Sequence, residues 1–162
     1  MTQEYLMTIL NYDKDSGLFT YKKSKPKIKV GNIAGTLKKD GYIRIKIDGK
    51  LHYAHRLAWL YINGYFPKFV DHINHLRDDN RWVNLRKVTL SENGMNMPML
   101  NTNTSGFTGV YPHKKNGTWI VQIKVRGDQK YLGSFKTKEE AVNARKTANI
   151  QYGFHENHGA KK

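Results

Sequence analysis

The side chains best suited to chemistry lie in one stretch of the chain: Asp71-His72, Asn84 and Asn93. A carboxylate and an amide oxygen, Asp71 and Asn93, suit a hard divalent cation such as Mg²⁺ or Mn²⁺ and leave most coordination positions to water and phosphate oxygens. His72 follows Asp71 directly, so on an extended strand its imidazole faces the other way, where it could take a proton from an attacking water. Asn84 could pin the intervening loop or orient the imidazole by hydrogen bonding. The chemistry such a set could perform is hydrolysis of a phosphodiester. His75 and Asn96 are weaker candidates: His75 has the wrong spacing for a ligand, and Asn96 lies one helical turn beyond Asn93.

These groups need elements to hold them. Val70 reads as the end of a short strand delivering Asp71-His72, residues 74–83 as a polar loop, Leu85–Val88 as a second strand, and Thr89-x-x-Glu92 as a capping box opening a helix. Upstream, Tyr5, Leu6, Ile9 and Leu10 predict a helix over residues 3–11, closed by the turn Asp13–Gly17. Leu18–Tyr21 is a strand candidate. Tyr42–Asp48 alternates, with Ile43, Ile45 and Ile47 on one face, and Asp48-Gly49 suits a two-residue hairpin turn into Lys50–Tyr53. Between them the lysine-rich stretch Lys22–Lys29 reads as a solvated loop. From Ala54, Leu57, Trp59, Leu60 and Tyr61 predict a helix stopped at Asn63-Gly64, with His55-Arg56 near its start.

Residues 98–108 are polar and punctuated by Gly and Pro, which predicts a linker. Beyond it, Val110-Tyr111, Trp119–Val125 and Lys130–Phe135 read as three strands, and Thr137-x-x-Glu140 caps a helix carrying Ala141, Ala144 and Ala148 as a small-residue stripe. Along the middle strand Trp119, Val121, Ile123 and Val125 face one way and Ile120, Gln122, Lys124 and Arg126 the other. Gln, Lys and Arg on an open face suit the major groove of DNA, with Lys114, Lys115 and Lys130 available to phosphates.

Charge points the same way. The 162 residues carry a formal +15, and it is unevenly spread: residues 1–50 hold 11 basic and 5 acidic side chains, 51–100 hold 6 and 4, and 101–162 hold 11 and 4. Two basic flanks around a nearly balanced middle predict that the flanks grip a polyanion. In the first unit Arg44, Lys46, Arg56 and Arg81 are the DNA-contact candidates. With no cysteine, disulfides, thiolate zinc sites and cysteine nucleophiles are excluded. No apolar run is long enough to span a membrane and the N-terminus lacks a signal-peptide pattern, which predicts a cytoplasmic protein.

The segment strongly resembles the HNH (His-Asn-His) endonucleases of the homing type, over about residues 42–96. The family's Asp-His pair falls on Asp71-His72, its Asp-Asn-Arg and Asn-Leu signatures on Asp79-Asn80-Arg81 and Asn84-Leu85, and its final ligand on Asn93. His55–Trp59 is similar to the helix preceding the motif. The resemblance implies a ββα-metal fold, His72 as general base, Asp71 and Asn93 as ligands of a single metal, and Asn84 as the structural Asn. It also implies products with 5′-phosphate and 3′-hydroxyl ends. The third letter is Asn93 rather than His, as in the H-N-N branch, which implies Mg²⁺ or Mn²⁺ more than zinc. Gly109-Val110-Tyr111, Trp119, Leu132–Phe135 and Glu139-Glu140-Ala141 resemble the DNA-binding domain of plant ethylene-response factors, which also occurs fused to HNH homing nucleases. That resemblance implies DNA contacts from Arg126 and from Trp119, although the alternation leaves Trp119 equally suited to the core.

The expected fold is α+β: a small N-terminal antiparallel sheet and helix leading into the ββα motif, then a three-stranded antiparallel sheet with one helix. The expected division is a nuclease domain over 1–97 with its ββα core about 66–97, a linker at 98–108, a DNA-binding domain over 109–155 and a tail at 156–162. The expected function is a metal-dependent, site-recognising endonuclease that cuts double-stranded DNA as a monomer or weak dimer, without a membrane partner. The alternative is a DNA-binding regulator that keeps an inactive HNH scaffold.

Overall fold

The computed structural model describes residues 1–24 and 26–160, so Lys25 of the lysine-rich loop and Lys161 and Lys162 of the tail lie outside the described residues. The fold is α+β and forms two compact units, divided between Val88 and Thr89.

In the first unit, α1 (Gln3–Ile9) is capped by the Thr2 hydroxyl, which accepts from the Tyr5 N–H. The helix is shorter than its periodicity suggests, because Leu10 starts β1 (Leu10–Tyr12), which pairs antiparallel with β2 (Phe19–Tyr21), itself paired to β3 (Ile33–Ala34). A second antiparallel sheet contains β4 (Thr36–Leu37), β5 (Ile43–Ile47) and β6 (Lys50–Tyr53). Here the alternation holds: Ile45 and Ile47 are buried, while Lys46 is exposed. The β5–β6 turn has φ of +48° at Asp48 and +81° at Gly49, the two left-handed positions that a tight hairpin following the strand twist requires.

The α2 helix (Ala54–Asn63) ends on Gly64, whose N–H bonds the Leu60 carbonyl. It buries Leu57, Ala58 and Leu60 in one cluster with Leu6, Leu10, Tyr12, Phe19, Ile45, Ile47 and Leu85. That shared core ties the two sheets to the last pair of strands, β7 (Phe69–His72) and β8 (Leu85–Val88), a two-stranded antiparallel ribbon. A single 3₁₀ turn, Trp82–Asn84, leads into β8.

The second unit opens with α3 (Leu90–Gly94), where the capping box forms: the Thr89 N–H donates to Glu92 at 2.7 Å and the Glu92 N–H to the Thr89 hydroxyl at 3.2 Å. The stretch expected as linker carries its own bonds. Asn103 accepts from Gly106 N–H at 2.7 Å, and the Met99 N–H bonds the carbonyl of Ala160 in the tail at 3.0 Å. An antiparallel sheet of β9 (Val110–His113), β10 (Thr118–Val125) and β11 (Asp128–Phe135) then packs on α4 (Lys138–Gln151), whose Thr137–Glu140 capping box is complete. Val110, Val121 and Ala141 form its core, with Trp119 packed against them. The alanine stripe includes a charge: Arg145 is buried on α4, donating to the Gln122 carbonyl and to the Asn149 side chain. Among the described residues no helix is long and apolar enough to cross a membrane.

Candidate active site

The β7–β8 register places Asp71 opposite Arg86 and His72 opposite Leu85. Opposite charges directly across a ribbon attract, and the Arg86 guanidinium donates to Asp71 Oδ2 from Nη2 at 3.0 Å and from Nε at 3.2 Å. On the other face His72 is buried, with 5% of its surface exposed.

Residues 73–84 connect the strands as a loop closed by its own polar groups. The Ile73 N–H donates to the Asn84 carbonyl at 2.9 Å, and the Asn74 N–H to Asn84 Oδ1 at 2.9 Å. Asn84 Nδ2 reaches across to the Asp79 carbonyl at 2.8 Å. Of the two arrangements open to Asn84, the one present pins the loop. Asp79 adds a second tie, accepting from Asn74 Nδ2 at 2.7 Å and from Arg81 at 2.8 and 2.6 Å. The Arg81 hydrogen bond is the largest of the effects that lower the Asp79 carboxyl to about 2.

The group facing the His72 ring is Asn80. Its Oδ1 lies 3.3 Å from His72 Nε2, while its Nδ2 donates to the Asp78 carbonyl at 3.1 Å. The second bond fixes which end of the amide is oxygen, so His72 Nε2 carries the proton and donates it. In that neutral tautomer the lone pair is on Nδ1. Burial lowers the His72 pKa, against the Asn80 bond and the charges of Asp71, Asp79 and Asp78, so the neutral ring that can accept a proton is favoured. Asn80 was legible only as a letter of the Asp79-Asn80-Arg81 signature; nothing in its spacing announces this contact.

Beside His72 sits an aromatic cluster that the sequence reading did not assemble. The His55 ring centroid is 4.9 Å from His72 and 5.2 Å from Tyr42, and Tyr42 lies 5.9 Å from His72. His55 Nδ1 is buried without a hydrogen-bond partner. Burial first, then the neighbouring His72 and Arg56, push the His55 pKa down to about 3. An unfolded histidine titrates near 6.5, so the folded chain refuses a proton that the unfolded chain takes. The stabilisation is complete above that value and is lost as the pH falls from 6.5 toward 3. Unfolding free energy is therefore expected to drop by about 2 kcal/mol between pH 7 and pH 5 on account of His55. Urea titrations of the protein and of His55→Leu check this: the variant should lose that part of the pH slope, and an identical slope would remove His55 as its cause.

Asn93 lies on α3 in the second unit and is exposed, its N–H bonded to the Thr89 carbonyl at 3.0 Å; Asn96 is buried. Asp71, His72 and Asn84 belong to the first unit. Among the described residues no group of three or more His, Cys, Asp or Glu side chains could hold a metal ion.

Several expected DNA contacts are engaged inside the protein. Arg44 pairs with Asp40 and bonds Tyr53, Arg56 donates to the carbonyls of Pro67 and Lys68 at 2.9 and 3.2 Å, and Arg81 grips Asp79. Trp119 packs on the core of the second unit, with Lys138 Nζ 5.7 Å from its ring centre. Arg126 stands in the β10–β11 turn with φ of +52° rather than on the strand face. Gln122 bonds the Gln129 side chain. Lys46, Lys114, Lys115, Lys124 and Lys130 are exposed, and Lys130 Nζ lies 4.9 Å from the Tyr152 ring centre.

Residues 52–95 match the family model described as HNH endonuclease. The matched stretch runs from β6 to α3 and includes His55, Asp71, His72, Asn84 and Asn93. The match is to an HNH endonuclease domain over that stretch, and it supports a nuclease role. A solved structure described as "DNA binding and cleavage by the HNH homing endonuclease I-HmuI" aligns at 22% identity and a TM-score of 0.43, covering 93% of this chain and 90% of that chain. A superposition that loose carries nothing further across. No curated protein sequence matches the chain.

Proposed function

We propose that this chain is a metal-dependent, site-recognising endonuclease of the homing type that hydrolyses a phosphodiester bond of double-stranded DNA. The observation that carries the reading is the buried His72, held at Nε2 by Asn80 and following Asp71 directly on β7, inside the matched stretch. His72 Nδ1 takes the proton of the attacking water. By the family resemblance Asp71 and Asn93 would hold one divalent cation, Mg²⁺ or Mn²⁺, and Arg86 orients Asp71 across the ribbon. When bound, the cation supplies Lewis-acid stabilisation of the charge that builds on the leaving 3′ oxygen. Asn84 keeps the loop closed, so that His72 and Asn80 keep their relation. Products carry 5′-phosphate and 3′-hydroxyl ends. One set of catalytic groups per chain nicks one strand at a time; cutting both takes a second binding event or a weak dimer.

The basic flanks supply affinity for the duplex. In the second unit, Lys114, Lys115, Lys124, Arg126 and Lys130 are the exposed cations for phosphate or base contact, with Gln122 beside them and Trp119 as a core residue that shapes the sheet. The likeness to ethylene-response-factor domains favours this unit as the reader of the target site.

The test is cleavage of supercoiled plasmid carrying the locus that encodes the protein, with Mg²⁺, with Mn²⁺ and with EDTA. The expected result is a nicked circle with either cation, a ligatable 5′-phosphate at the break, and no product in EDTA. Tight binding to that DNA with the plasmid intact under all three conditions would replace this reading with a DNA-binding regulator on an inactive scaffold.

A further inference from the structure

The loop that holds Asn80 against His72 is itself held from outside the matched stretch. Three contacts from the β1–β2 hairpin converge on residues 80–82. The Tyr12 hydroxyl donates to the Asn80 carbonyl at 2.6 Å. The Lys14 carbonyl accepts from the Trp82 N–H at 2.9 Å. Gly17, at φ of +75°, lies so close to the backbone of Asn80 and Arg81 that a Cβ there would overlap both. A left-handed position with no room for a side chain admits glycine alone.

The hairpin is a rigid support. Tyr12 is buried, its ring stacked on Phe19 at 4.7 Å between centroids and edge-on to Tyr61 at 5.8 Å. Burial pushes its phenol well above the usual range, so the hydroxyl stays a donor at any working pH. The turn is closed by the Gly17 N–H on the Asp13 carbonyl at 2.9 Å and by the Asp15 N–H on Asp13 Oδ1 at 2.9 Å. Asn80, 2% exposed, is thus fixed at its carbonyl by Tyr12 and at its backbone and side-chain nitrogens by the Asp78 carbonyl, and its remaining polar atom, Oδ1, faces His72.

We infer that the N-terminal hairpin is a positioning device for the catalytic base: Tyr12 and Gly17 hold Asn80 so that its Oδ1 selects the Nε2-protonated form of His72 and aims Nδ1 at the water. The inference rests on the proposed role of His72. It adds that this role depends on residues far upstream, which the HNH match does not include. Tyr12 and Gly17 act through Asn80 and touch no reacting atom.

The test uses the full chain labelled with ¹⁵N-histidine. In the parent protein the His72 ring should show one protonated nitrogen, Nε2, and one unprotonated nitrogen, Nδ1, with widely separated ¹⁵N shifts. Tyr12→Phe removes a single oxygen; the two shifts should move toward each other as the tautomers mix, and kcat for nicking should fall about tenfold with KM for DNA unchanged. Gly17→Ala should do the same more strongly. If that variant does not fold, Tyr12→Phe decides alone. Tyr5→Phe, which removes a hydroxyl bonded to Asp48 away from this loop, is the control and should leave the His72 signals in place. His72 shifts in Tyr12→Phe that coincide with those of the parent would overturn the inference, whatever the activity. Because the shifts are read without DNA or cation, a parent protein that fails to nick would remove the base role while leaving the hairpin's hold on His72 separately measurable.

Discussion

His72→Ala is expected to slow plasmid nicking by about 10²- to 10⁴-fold, the usual span for loss of a general base, while DNA affinity stays near that of the parent. The reason is where the ring sits. His72 ends β7 with its side chain buried, and the visible hold on it, at Nε2, comes from a side-chain amide whose own orientation is set by a carbonyl. A group so enclosed contributes little to gripping a polyanion, so its removal should act on the chemical step. His72→Gln should be as slow as His72→Ala, because glutamine can bond Asn80 but cannot take a proton at neutral pH. Single-turnover nicking at saturating DNA, with binding followed separately, makes the measurement. Parent-like turnover in either variant would take the base role from His72.

How much of this was readable beforehand depended on how local the signal was. The Ile43–Ile47 alternation, the Asp48-Gly49 turn, the Gly64 helix stop and both capping boxes are written in a few adjacent residues, and the structure forms them where the spacing put them. So is Asp71-His72 at the end of a strand. The short strands were hidden for the opposite reason. β3 and β4 have two residues each, too few to show a period, and form because a distant partner offers hydrogen bonds. Leu10 shows the same competition: its helical spacing is real, but pairing with Tyr21 takes it into β1.

The arginines are the clearest limit. Arg44, Arg56 and Arg81 read as candidates for DNA contact, and in the fold each also has an oxygen partner within the protein, Asp40, two backbone carbonyls and Asp79 respectively. A count of charge cannot distinguish a cation that seeks a phosphate from one that closes a loop. The His55–His72 approach and the Asn80 contact were out of reach likewise, because each joins segments whose proximity is a product of tertiary packing.

The second large effect separates two readings of Asp71. Its carboxylate is half of an ion pair with Arg86, and a pair of that kind also forms where no metal is involved. If Asp71 served the ribbon alone, Asp71→Asn and Arg86→Gln would do similar harm: each leaves a partly buried partner without its counter-charge, and both would act on stability. If Asp71 holds the cation, the two variants diverge. Asp71→Asn removes the anionic ligand and leaves the Arg86 guanidinium beside the remaining oxygen, so the cation is both less attracted and actively repelled. Nicking is then expected to fall by about 10²- to 10³-fold, the few kcal/mol of Lewis-acid stabilisation expressed as a rate, and the Mg²⁺ concentration for half-maximal rate should rise. Arg86→Gln keeps the ligand and removes a competing cation, so its half-maximal Mg²⁺ should be no higher than the parent's. The double variant makes the comparison sharper, because residues in contact do not act additively. Relieved of the guanidinium, Asp71→Asn/Arg86→Gln should require less Mg²⁺ than Asp71→Asn alone while staying slower than Arg86→Gln. Metal titrations of the nicking rate for the four proteins, with urea midpoints measured alongside, decide it. Equal Mg²⁺ requirements across all four would return Asp71 to a structural role and leave the cation to other oxygens.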